Sequence, residues 1–459
     1  PCSDARVKAA FDNYLECEQD LIASDKGMSS ELLEDFRQAS LLLWGDAMQQ
    51  VDEDIYYGRI IPAHGPGSTA DRLVANAKWD QLEWTERLEK IFPFGEYLIP
   101  NSRYHVEYLP LVRFLEPGAE RPVRVITVPK TLKTPRIIAI EPTCMQYMQQ
   151  GIARSLVPRL EMSKTRKGIL GFTDQTANHR MARIGSISGK YATLDLSEAS
   201  DRVSNQLVRT MTSNFPHLKE GIDACRSRSA DVEGKIIRLT KFASMGSALT
   251  FPVEAMVFST ICFMGISQAK GRPLTEGLIQ EYRQAVRVYG DDIIVPTDCA
   301  QWVKVMLGAF GFKVNTSKSF FEGNFKESCG KEFFRGDDVS VCRMRREIPD
   351  GPKDVSEILS FSSFRNQAYW LGLWKTAKYC DDILEKVLDG LYPIVEATSP
   401  LIGKESASFP PESVGVDADT FQPLVKGWFP IVKLPERALD GVGALMKCLL
   451  QLGADDPTD

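Results

Sequence analysis

The sequence contains few of the residues from which metal-binding and cross-linked frameworks are built. Only four histidines occur, and none lies close in sequence to another or to a group of cysteines. The ten cysteines include no Cys-x-x-Cys pair, and most lie in apolar or helical surroundings, as reduced thiols in a reducing compartment do. The sequence therefore argues against a zinc site.

A long apolar run and an excess of positive charge are also missing. The longest apolar region, Phe251 to Ile266, contains Glu254 and is shorter than the ~20 residues that a membrane-spanning helix needs, so we expect no membrane partner. The formal net charge is −6, whereas many nucleic-acid-binding proteins are basic. The basic residues are nevertheless grouped, and three groups would suffice to line a basic channel inside an acidic protein: Arg121–Arg136, Lys164–Lys167 and Arg343–Arg346.

The order of the predicted elements indicates an α+β fold around an antiparallel sheet. Residues up to about 115 are predicted to be mostly helical, most clearly at Leu32–Met48. Two strands with a turn between them are predicted within Val123–Ile140, and a further strand at Tyr191–Leu196 leads into a helix that Ser197 would cap. The later predicted elements are a buried helix at Pro252–Gly265, a helix from Asp298 to Gly311, a strand at Phe312–Asn315 and helices beyond Asp354.

Two adjacent carboxylates are predicted at the tip of a hairpin. The string Tyr289-Gly290-Asp291-Asp292 lies between β-branched apolar residues on both sides, and a Gly-Asp link favours a tight turn between two strands. Like charges so close together destabilise a fold unless a cation lies between them. The pair is therefore a candidate metal site. The same tripeptide occurs again at Gly336-Asp337-Asp338, which could also be a hairpin tip.

A third carboxylate, Asp195, follows a predicted strand earlier in the chain. Acids that converge from separate strands can hold two metal ions ~4 Å apart, and these stabilise the attacking and leaving oxygens of an in-line phosphoryl displacement. Taken alone, Asp195 at the end of a strand is better explained as a helix cap. Its surroundings favour the metal site, because Asp201 could accept a hydrogen bond from a ribose hydroxyl and the small-residue loop Ser244–Thr250 would let a backbone approach a nucleotide closely.

In these strings the chain resembles viral RNA-dependent RNA polymerases, and most closely the catalytic replicase subunit of single-stranded RNA bacteriophages, the leviviruses. Each string alone is modest support, but together they occur in the family's order over about half of the chain, from Arg121 to roughly Arg346. The matching stretches are Val128–Pro142, Leu194–Asp201, Ser244–Phe251, Tyr289–Asp292 and Glu327–Gly336.

The resemblance implies a right-hand polymerase fold of fingers, palm and thumb, in which an antiparallel palm sheet is flanked by helices. Residues 1–120 would form a mostly helical N-terminal region and part of the fingers, and 121–190 the fingers with a basic segment where the nucleoside triphosphate arrives. The palm would extend over 191–342, with 212–240 as an insertion belonging to the fingers, and 343–459 would form a mostly helical thumb and a C-terminal tail.

The resemblance also implies a set of catalytic residues. Asp195 and Asp291 would ligate two Mg²⁺ ions, for which Mn²⁺ could substitute, and Asp292 would be a supporting ligand. Lys318 matches the lysine proposed as general acid for the pyrophosphate leaving group, although it could instead be a solvated lysine at a strand end. The second Gly-Asp-Asp falls where the family has a hairpin beside the end of the growing strand and needs no acid pair, so we expect the first copy to bind metal.

A second implied set would bind the incoming nucleotide. Asp201 and Ser244 would sense its ribose 2′-hydroxyl, the group that distinguishes RNA from DNA precursors. Basic residues up to Arg136 would line the path of the triphosphate and neutralise its charge. One helical turn after the loop, many viral polymerases have an asparagine where this chain has Glu254, as leviviral replicases tend to have. The whole set is Lys130, Lys133, Arg136, Asp201, Ser244, Gly246 and Thr250.

The expected function is template-directed synthesis of RNA on an RNA template, without a primer, in the cytoplasm of the bacterial host. The expected partners are a single-stranded RNA template, the nascent RNA, nucleoside triphosphates and, by family resemblance, host translation factors. A reverse transcriptase shares the palm and the acid pair, but it usually has a bulky aromatic residue where Asp201 would meet the ribose. A non-catalytic single-strand RNA-binding protein would not need the three acids, and a metal-dependent nuclease would be expected to have a histidine or a further acid cluster.

Overall fold

The computed structural model describes residues 3–128, 135–431 and 441–454. Within these residues, helices are interspersed with short, mainly antiparallel strands, which confirms the predicted α+β class. The helices are α1 (Asp4–Gly27), α2 (Ser30–Tyr56), α3 (Glu86–Ile91), α4 (Phe94–Tyr97), α5 (Ser102–Tyr108), α6 (Thr143–Met162), α7 (Thr176–Ser188), α8 (Asn205–Met211), α9 (Pro216–Cys225), α10 (Thr250–Lys270), α11 (Glu276–Tyr282), α12 (Thr297–Ala309), α13 (Val355–Trp370), α14 (Trp374–Val387) and α15 (Val442–Ala454). The strands are β1 (Glu83–Thr85), β2 (Arg113–Leu115), β3 (Val123–Val128), β4 (Arg136–Ile140), β5 (Tyr191–Leu194), β6 (Leu196–Ser197), β7 (Ser229–Val232), β8 (Lys235–Arg238), β9 (Arg287–Tyr289), β10 (Asp292–Pro296), β11 (Lys313–Val314), β12 (Phe325–Ser328), β13 (Lys331–Phe334), β14 (Asp337–Asp338), β15 (Gly415–Val416) and β16 (Pro423–Leu424). Short 3₁₀-helices lie at Ala75–Asp80, Leu109–Leu111 and Ser200–Arg202.

The predicted hairpin at the first Gly-Asp-Asp string is confirmed. Strands β9 and β10 pair antiparallel, and the turn between them is Gly290–Asp291. On its other edge, β10 pairs antiparallel with β5, where Ile293 is opposite Leu194. Gly290 has a φ of +59°, and a Cβ atom there would lie 2.5 Å from the ring of Phe251. The turn therefore requires glycine at this position.

Helix α10 is a central apolar element of the fold. It packs against α2 and α12 and is buried almost throughout from Thr250 to Ile266. At 21 residues it is long and apolar enough to cross a membrane, so the prediction that this region is too short was wrong. However, 89% of its most apolar stretch is buried inside the protein. Neighbouring helices supply its apolar surroundings, which is typical of a core helix.

A second sheet has the strand order β4-β3-β7-β8. Strands β3 and β4 pair antiparallel, with Ile126 opposite Ile138, as predicted for this part of the chain. Strand β3 also pairs parallel with β7, so the hairpin of β7 and β8 extends the same sheet. Phe11 and Tyr14 of α1 pack with valines of β3 in a small core. The N-terminal helix is thereby attached to strands that are distant in sequence.

The predicted helix cap at Ser197 is wrong. Ser197 lies in the short strand β6, which pairs with β11, and Glu198 then takes a φ of +48°. This conformation turns the chain before an α-helix can form. Helix α8 begins only at Asn205, where the hydroxyl of Ser204 accepts a hydrogen bond from the backbone N–H of Leu207 at 3.2 Å. Ser197 is thus part of a strand pair and not of the helix that the capping pattern predicts.

The predicted helix cap at Asp298 is also wrong. Helix α12 begins at Thr297 with Pro296 at its cap position, and Asp298 lies within the first turn. The Asp298 carboxylate instead forms an ion pair with Lys270 at the end of α10, so a tertiary contact competes with local capping. The predicted end of this helix is confirmed, because Gly311 has a φ of +82° shortly after the last helical residue.

The chain divides into two compact units. The first comprises Pro1–Val339 and Arg437–Asp459 and contains the sheets β5-β10-β9 and β4-β3-β7-β8. The second comprises Ser340–Glu436, in which α13 and α14 pack around Phe361 and Leu384. The predicted four-part division, with boundaries at residues 120, 190 and 342, stays a prediction.

Candidate active site

Strand pairing brings the predicted metal ligands together at one end of the sheet β5-β10-β9. Asp195 directly follows Leu194, the last residue of β5, and Leu194 is opposite Ile293 of β10. Asp292 directly precedes Ile293 and therefore lies at the adjacent strand end, and Asp291 occupies the turn beside it. Acids that are far apart in the sequence thus become neighbours, as a converging metal site requires.

Asp195 is oriented by the segment that follows α12. Asn315 donates a hydrogen bond from Nδ2 to Asp195 Oδ2 at 3.0 Å and another from its backbone N–H to the Asp195 carbonyl at 2.8 Å. The backbone N–H of Asp195 in turn donates to Ser319 Oγ at 3.1 Å. Because Ser204 caps the helix that follows, Asp195 does not have the capping role that the sequence leaves open.

Asp292 is partly buried, and its carboxylate interacts with the other two acids. Its Oδ1 accepts hydrogen bonds from the backbone N–H of Cys329 at 2.9 Å and from Ser328 Oγ at 3.3 Å. Burial raises the pKa of Asp292 to about 6; the Cys329 hydrogen bond acts against this rise, and the negative charges of Asp291 and Asp195 act with it. The three carboxylates therefore repel one another at this end of the sheet.

The chemistry of this acid group fits a hard divalent cation such as Mg²⁺. Carboxylate oxygens are suitable protein ligands for Mg²⁺, and a cation between the acids would remove the repulsion that helps to raise the pKa of Asp292. In the described part of the chain, however, no three His, Cys, Asp or Glu side chains are gathered tightly enough to hold a metal ion. The acids are thus neighbours whose charges interact.

Two residues of the predicted nucleotide-binding set, Asp201 and Ser244, form a hydrogen bond with each other. Ser244 Oγ donates a hydrogen bond to Asp201 Oδ1 at 2.8 Å, and Lys241 Nζ lies 3.2 Å from the same oxygen. Thr250, the first residue of α10, donates from its hydroxyl to the Ser244 carbonyl at 2.8 Å. The Asp201 side chain remains 18% exposed, so this fixed carboxylate still has a surface open to a ligand.

No sequence pattern singles out Lys241, yet it is the centre of a buried network that connects this pair to α1. Its side chain is 0% exposed, and Nζ lies 3.3 Å from Glu18 Oε1 and 3.6 Å from the ring centroid of Tyr14. The hydroxyl of Tyr14 lies 3.1 Å from Ser244 Oγ. Burial lowers the pKa of Lys241, but the charges of Asp201, Tyr14 and Glu18 outweigh burial and raise it overall. Lys241 is therefore a charged, buried partner of Asp201.

The loop Ser244–Thr250 is docked on strand β4. The backbone N–H of Ala139 donates a hydrogen bond to the Met245 carbonyl at 2.9 Å. Gly246 has a φ of +136°, and a Cβ atom there would lie 1.9 Å from the Ala139 carbonyl oxygen. Only a residue without a side chain can bring the two backbones this close together.

Glu254 lies behind the turn that carries Asp291. A Cβ atom on Gly290 would lie 3.3 Å from Glu254 Oε1. Burial, and then the negative charges of Asp291 and Asp201, raise the pKa of Glu254 well above its ordinary value, which favours the neutral form of the carboxyl. A neutral carboxyl can donate a hydrogen bond, as the side-chain amide of the asparagine found in many viral polymerases can.

The predicted triphosphate-binding residues are only partly within the described chain. Arg136 is exposed at the start of β4, the strand on which the Ser244–Thr250 loop is docked. Lys130 and Lys133 lie outside the described residues. Of this basic group, the structure therefore locates Arg136 alone, on the same strand as the loop.

Lys318 lies in the segment that contacts Asp195, between Asn315 and Ser319. Its side chain is exposed, and its backbone N–H donates to the Asn315 carbonyl at 3.1 Å. Burial, followed by the charges of Asp292 and Asp195, raises the pKa of Glu327 to about 7, and the charge of Lys318 opposes this rise. The charge of Lys318 thus acts on Glu327, which in turn interacts with Asp292 and Asp195. Its assignment as a general acid stays a prediction.

The second Gly-Asp-Asp copy lies in a different sheet. Asp337 and Asp338 form strand β14, which pairs with β13 in the sheet β12-β13-β14. Both residues are exposed, and Lys331 Nζ lies 2.7 Å from Asp338 Oδ2. A surface ion pair therefore compensates part of the charge of this copy, whereas the first copy lies next to Asp195.

Comparison with protein families identifies the chain's relatives. A profile of the family described as RNA replicase, beta-chain, matches residues 119–378, more than half of the 459-residue chain. The chain belongs to this family. The matched range contains every predicted site residue, from Lys130 to Lys318. The resemblance to leviviral replicases, inferred from the motifs, is thereby confirmed.

The chain is similar to replicase chains of several RNA phages, all of them longer. It is 38% identical to the RNA-directed RNA polymerase beta chain of Enterobacteria phage fr over 226 residues, which cover 49% of this chain and 38% of that relative. With the beta subunit of Enterobacteria phage SP it shares 30% identity over 354 residues, which cover 74% of this chain and 57% of that relative. The chain thus spans between 38% and 57% of the length of these family members.

Two solved polymerase structures have a limited likeness to this chain. One, described as an RdRp complex, has a TM-score of 0.45 and 10% identity, and the match covers 76% of this chain and 33% of that one. The other, an insertion-loop deletion mutant of the RNA-dependent RNA polymerase of a human picobirnavirus, has a TM-score of 0.39 and 12% identity, covering 58% and 57%. Because both TM-scores are below 0.5, these two matches carry no argument about the fold of this chain.

Proposed function

We propose that this chain catalyses template-directed synthesis of RNA on an RNA template, as the RNA-dependent RNA polymerase of an RNA phage. The observation that supports this most directly is the meeting of Asp195, Asp291 and Asp292 at adjacent strand ends. The bonded pair of Asp201 and Ser244 supports the choice of ribonucleotides. Membership of the replicase beta-chain family supports the same activity.

The proposal includes a right-hand arrangement of the chain. We assign the sheet β5-β10-β9 to the palm, the sheet β4-β3-β7-β8 to the fingers, and helices α13 and α14 to the thumb. The pairing of β7 with β3 supports this division, because it joins the segment 212–240 to the basic segment that begins at residue 121. This topology is expected if 212–240 is an insertion from the palm region and its strands β7 and β8 complete a sheet of the fingers.

The acids of the palm would hold the catalytic cations. When bound, a pair of Mg²⁺ ions, or Mn²⁺ in their place, supplies the positive charge that nucleotidyl transfer requires at the attacking and leaving oxygens. Asp195 and Asp291 would be the ligands, and Asp292 would support them. Asn315 keeps the carboxylate of Asp195 oriented through its 3.0 Å hydrogen bond, so that the ligand is positioned before substrate arrives.

Separate residues would bind the ribose and the triphosphate. Asp201 would accept a hydrogen bond from the 2′-hydroxyl, with Ser244 and Lys241 fixing the orientation of its carboxylate. Arg136, together with Lys130 and Lys133, would bind the phosphates as charge develops on them. Lys318 would donate a proton to the departing pyrophosphate.

The proposed partners follow from this activity. They are a single-stranded RNA template, the nascent RNA and nucleoside triphosphates, with host translation factors as further partners by family resemblance. The proposed location is the cytoplasm of the bacterial host. The chain spans only part of the length of its relatives. Binding of these partners therefore has to be measured on this chain itself.

The direct test is incorporation of labelled nucleotides on single-stranded RNA without a primer, in the presence of Mg²⁺. We expect the chain to incorporate NTPs in preference to dNTPs and to stop when the metal is chelated. Restoration by Mn²⁺ would support the exchange of one ion for the other. Preferential use of dNTPs would favour a reverse transcriptase, and RNA binding without any incorporation would favour a non-catalytic protein.

The docked glycine loop provides a second expectation. Replacing Gly246 by alanine is expected to lower the rate of RNA synthesis roughly tenfold or more, because a strained backbone and a clash with Ala139 cost ~1–3 kcal/mol or force the loop to move. The rate is measured on the same RNA as for the wild type. Gly277→Ala is the control, since Gly277 is exposed and its Cβ would meet Thr275 only at 3.8 Å. Equal rates for Gly246→Ala and the control would contradict the docked arrangement.

A further inference from the structure

A polar cleft in the first unit is separate from the acid group and from the docked loop. Its volume is about 800 Å³, which lies within the ~300–1,000 Å³ range of ligand pockets. It is formed by the ends of α1 and α9, by α2 and α8, by strand β8 and by the segment between α9 and β7. The described residues that line it include none of Asp195, Ser244 and Asp291.

The cleft concentrates positive charge in a chain whose net charge is −6. Among the described residues, five arginines line it together with two acids, Asp25 and Asp223. Burial lowers the pKa of Arg226 to about 10; Asp223 opposes this, and the like charges of Arg87 and Arg228 act with it. Positive groups are therefore close enough to repel one another. The five arginines are Arg37, Arg209, Arg226, Arg228 and Arg238.

Three of these arginines are held by other protein groups and form a fixed wall. Arg226 donates hydrogen bonds to three backbone carbonyls, and Arg37 and Arg228 pair with nearby acids. Arg209 and Arg238 differ from them. Both are exposed, and neither side chain has a hydrogen-bond or ion-pair partner among the described residues. Their guanidinium groups are therefore available to a ligand.

The composition of the cleft indicates a ligand that carries phosphate groups. A guanidinium group can donate two parallel hydrogen bonds to a phosphate. Leu239 is the only apolar residue among those that line the cleft, and none of the described lining residues is aromatic. A nucleotide base would thus have no surface on which to stack. A phosphodiester backbone needs only the charges and hydrogen-bond donors that this cleft offers.

We propose that this surface, the arginine cleft, binds the phosphate backbone of an RNA strand outside the active site. The choice of RNA rests on the proposed polymerase function, whereas the choice of phosphate rests on the five arginines. Contacts of this kind do not depend on the base sequence. They hold the RNA on the protein while the active site exchanges one nucleotide for the next.

The test replaces Arg209 and Arg238, whose side chains have no partner among the described residues, in one double variant, Arg209→Ala/Arg238→Ala. Binding of a labelled single-stranded RNA is measured by fluorescence anisotropy over a series of salt concentrations. Each lost phosphate contact lowers the slope of log K against log salt by ~0.7, so we expect a slope less steep by about 1.4 and an affinity on the order of tenfold weaker at low salt. The fold is expected to remain intact, because neither side chain has a partner among the residues that the structure describes.

A matched control removes the same charge elsewhere on the surface. The variant Arg103→Ala/Arg272→Ala changes side chains that are 82% and 53% exposed and that do not line the cleft. It is expected to keep the wild-type slope. An unchanged slope in the cleft variant would overturn the proposal, and so would an equal change in both variants, since that result would report only net charge.

Two further measurements separate this proposal from others. If the cleft variant lost affinity for ATP but kept its affinity for RNA, the cleft would be a nucleotide site and the RNA assignment would be wrong. The wild-type protein could also bind RNA with a steeper slope than the cleft variant but incorporate no nucleotide. That result would contradict the polymerase function and still support RNA binding by the arginine cleft.

Discussion

Replacement of Asp291 by asparagine is expected to abolish detectable RNA synthesis. Asparagine keeps the shape of the side chain but removes the negative charge that acts on Asp292 at the end of the sheet β5-β10-β9. Cation stabilisation of the reacting oxygens is worth several kcal/mol. Its loss lowers the rate by on the order of 10³-fold or more. The measurement is incorporation of labelled NTPs on single-stranded RNA with Mg²⁺.

The second Gly-Asp-Asp provides the matched control for this substitution. Asp337→Asn changes the same residue of the same tripeptide, but Asp337 is exposed in a hairpin of another sheet. We expect Asp337→Asn to retain most of the wild-type rate and the wild-type thermal unfolding temperature. Equal loss of synthesis in both variants would sink the assignment of the two copies. Loss of synthesis in Asp337→Asn alone would reverse it.

Replacement of Lys241 by methionine is expected to lower both stability and the preference for ribonucleotides. The ammonium group is 0% exposed and lies 3.2 Å from Asp201 and 3.3 Å from Glu18. Removing one partner of a buried ion pair costs ~3–5 kcal/mol, because the remaining charge is left without compensation. Asp201 would also lose the contact that orients it beside Ser244. We therefore expect a lower free energy of unfolding in urea and a smaller ratio of NTP to dNTP incorporation.

Two further variants separate positioning from general destabilisation. Lys235→Met removes an exposed lysine from β8 and is expected to change neither quantity. Glu18→Gln in the Lys241→Met background removes one uncompensated charge, so it is expected to restore part of the stability without restoring the preference for NTPs. If Lys241→Met kept the wild-type NTP to dNTP ratio, the ion pair would not position Asp201. In that case its role would be structural alone.

The hairpin at Tyr289–Asp292 could be predicted because its signals are local. β-branched residues on both sides favour strands, and Gly290 permits a turn that no residue with a side chain fits. The choice between the two Gly-Asp-Asp copies came from the order of motifs along the chain. The structure supports the same choice, since the first copy lies beside Asp195 and the second pairs with Lys331 on the surface.

Predictions that treated a segment in isolation were wrong where a distant segment competes for the same groups. Ser197 does not cap a helix, because β6 pairs with β11. Asp298 does not cap α12, because Lys270 binds its carboxylate. The apolar helix α10 is longer than the sequence indicated, and its burial between other helices distinguishes it from a membrane span. Each of these outcomes depends on contacts that no local pattern contains.

The amino-acid sequence by itself determined the α+β class, the acidic hairpin, the glycine loop and the family to which they belong. These features depend on backbone conformation and on residues that are near one another in the chain. Only the tertiary structure decided that Lys241 is the buried partner of Asp201 and that arginines from four separate segments line one cleft. The physical reason is that burial and charge compensation are properties of the packed chain, since a lysine or arginine has the same chemistry everywhere until its neighbours are known.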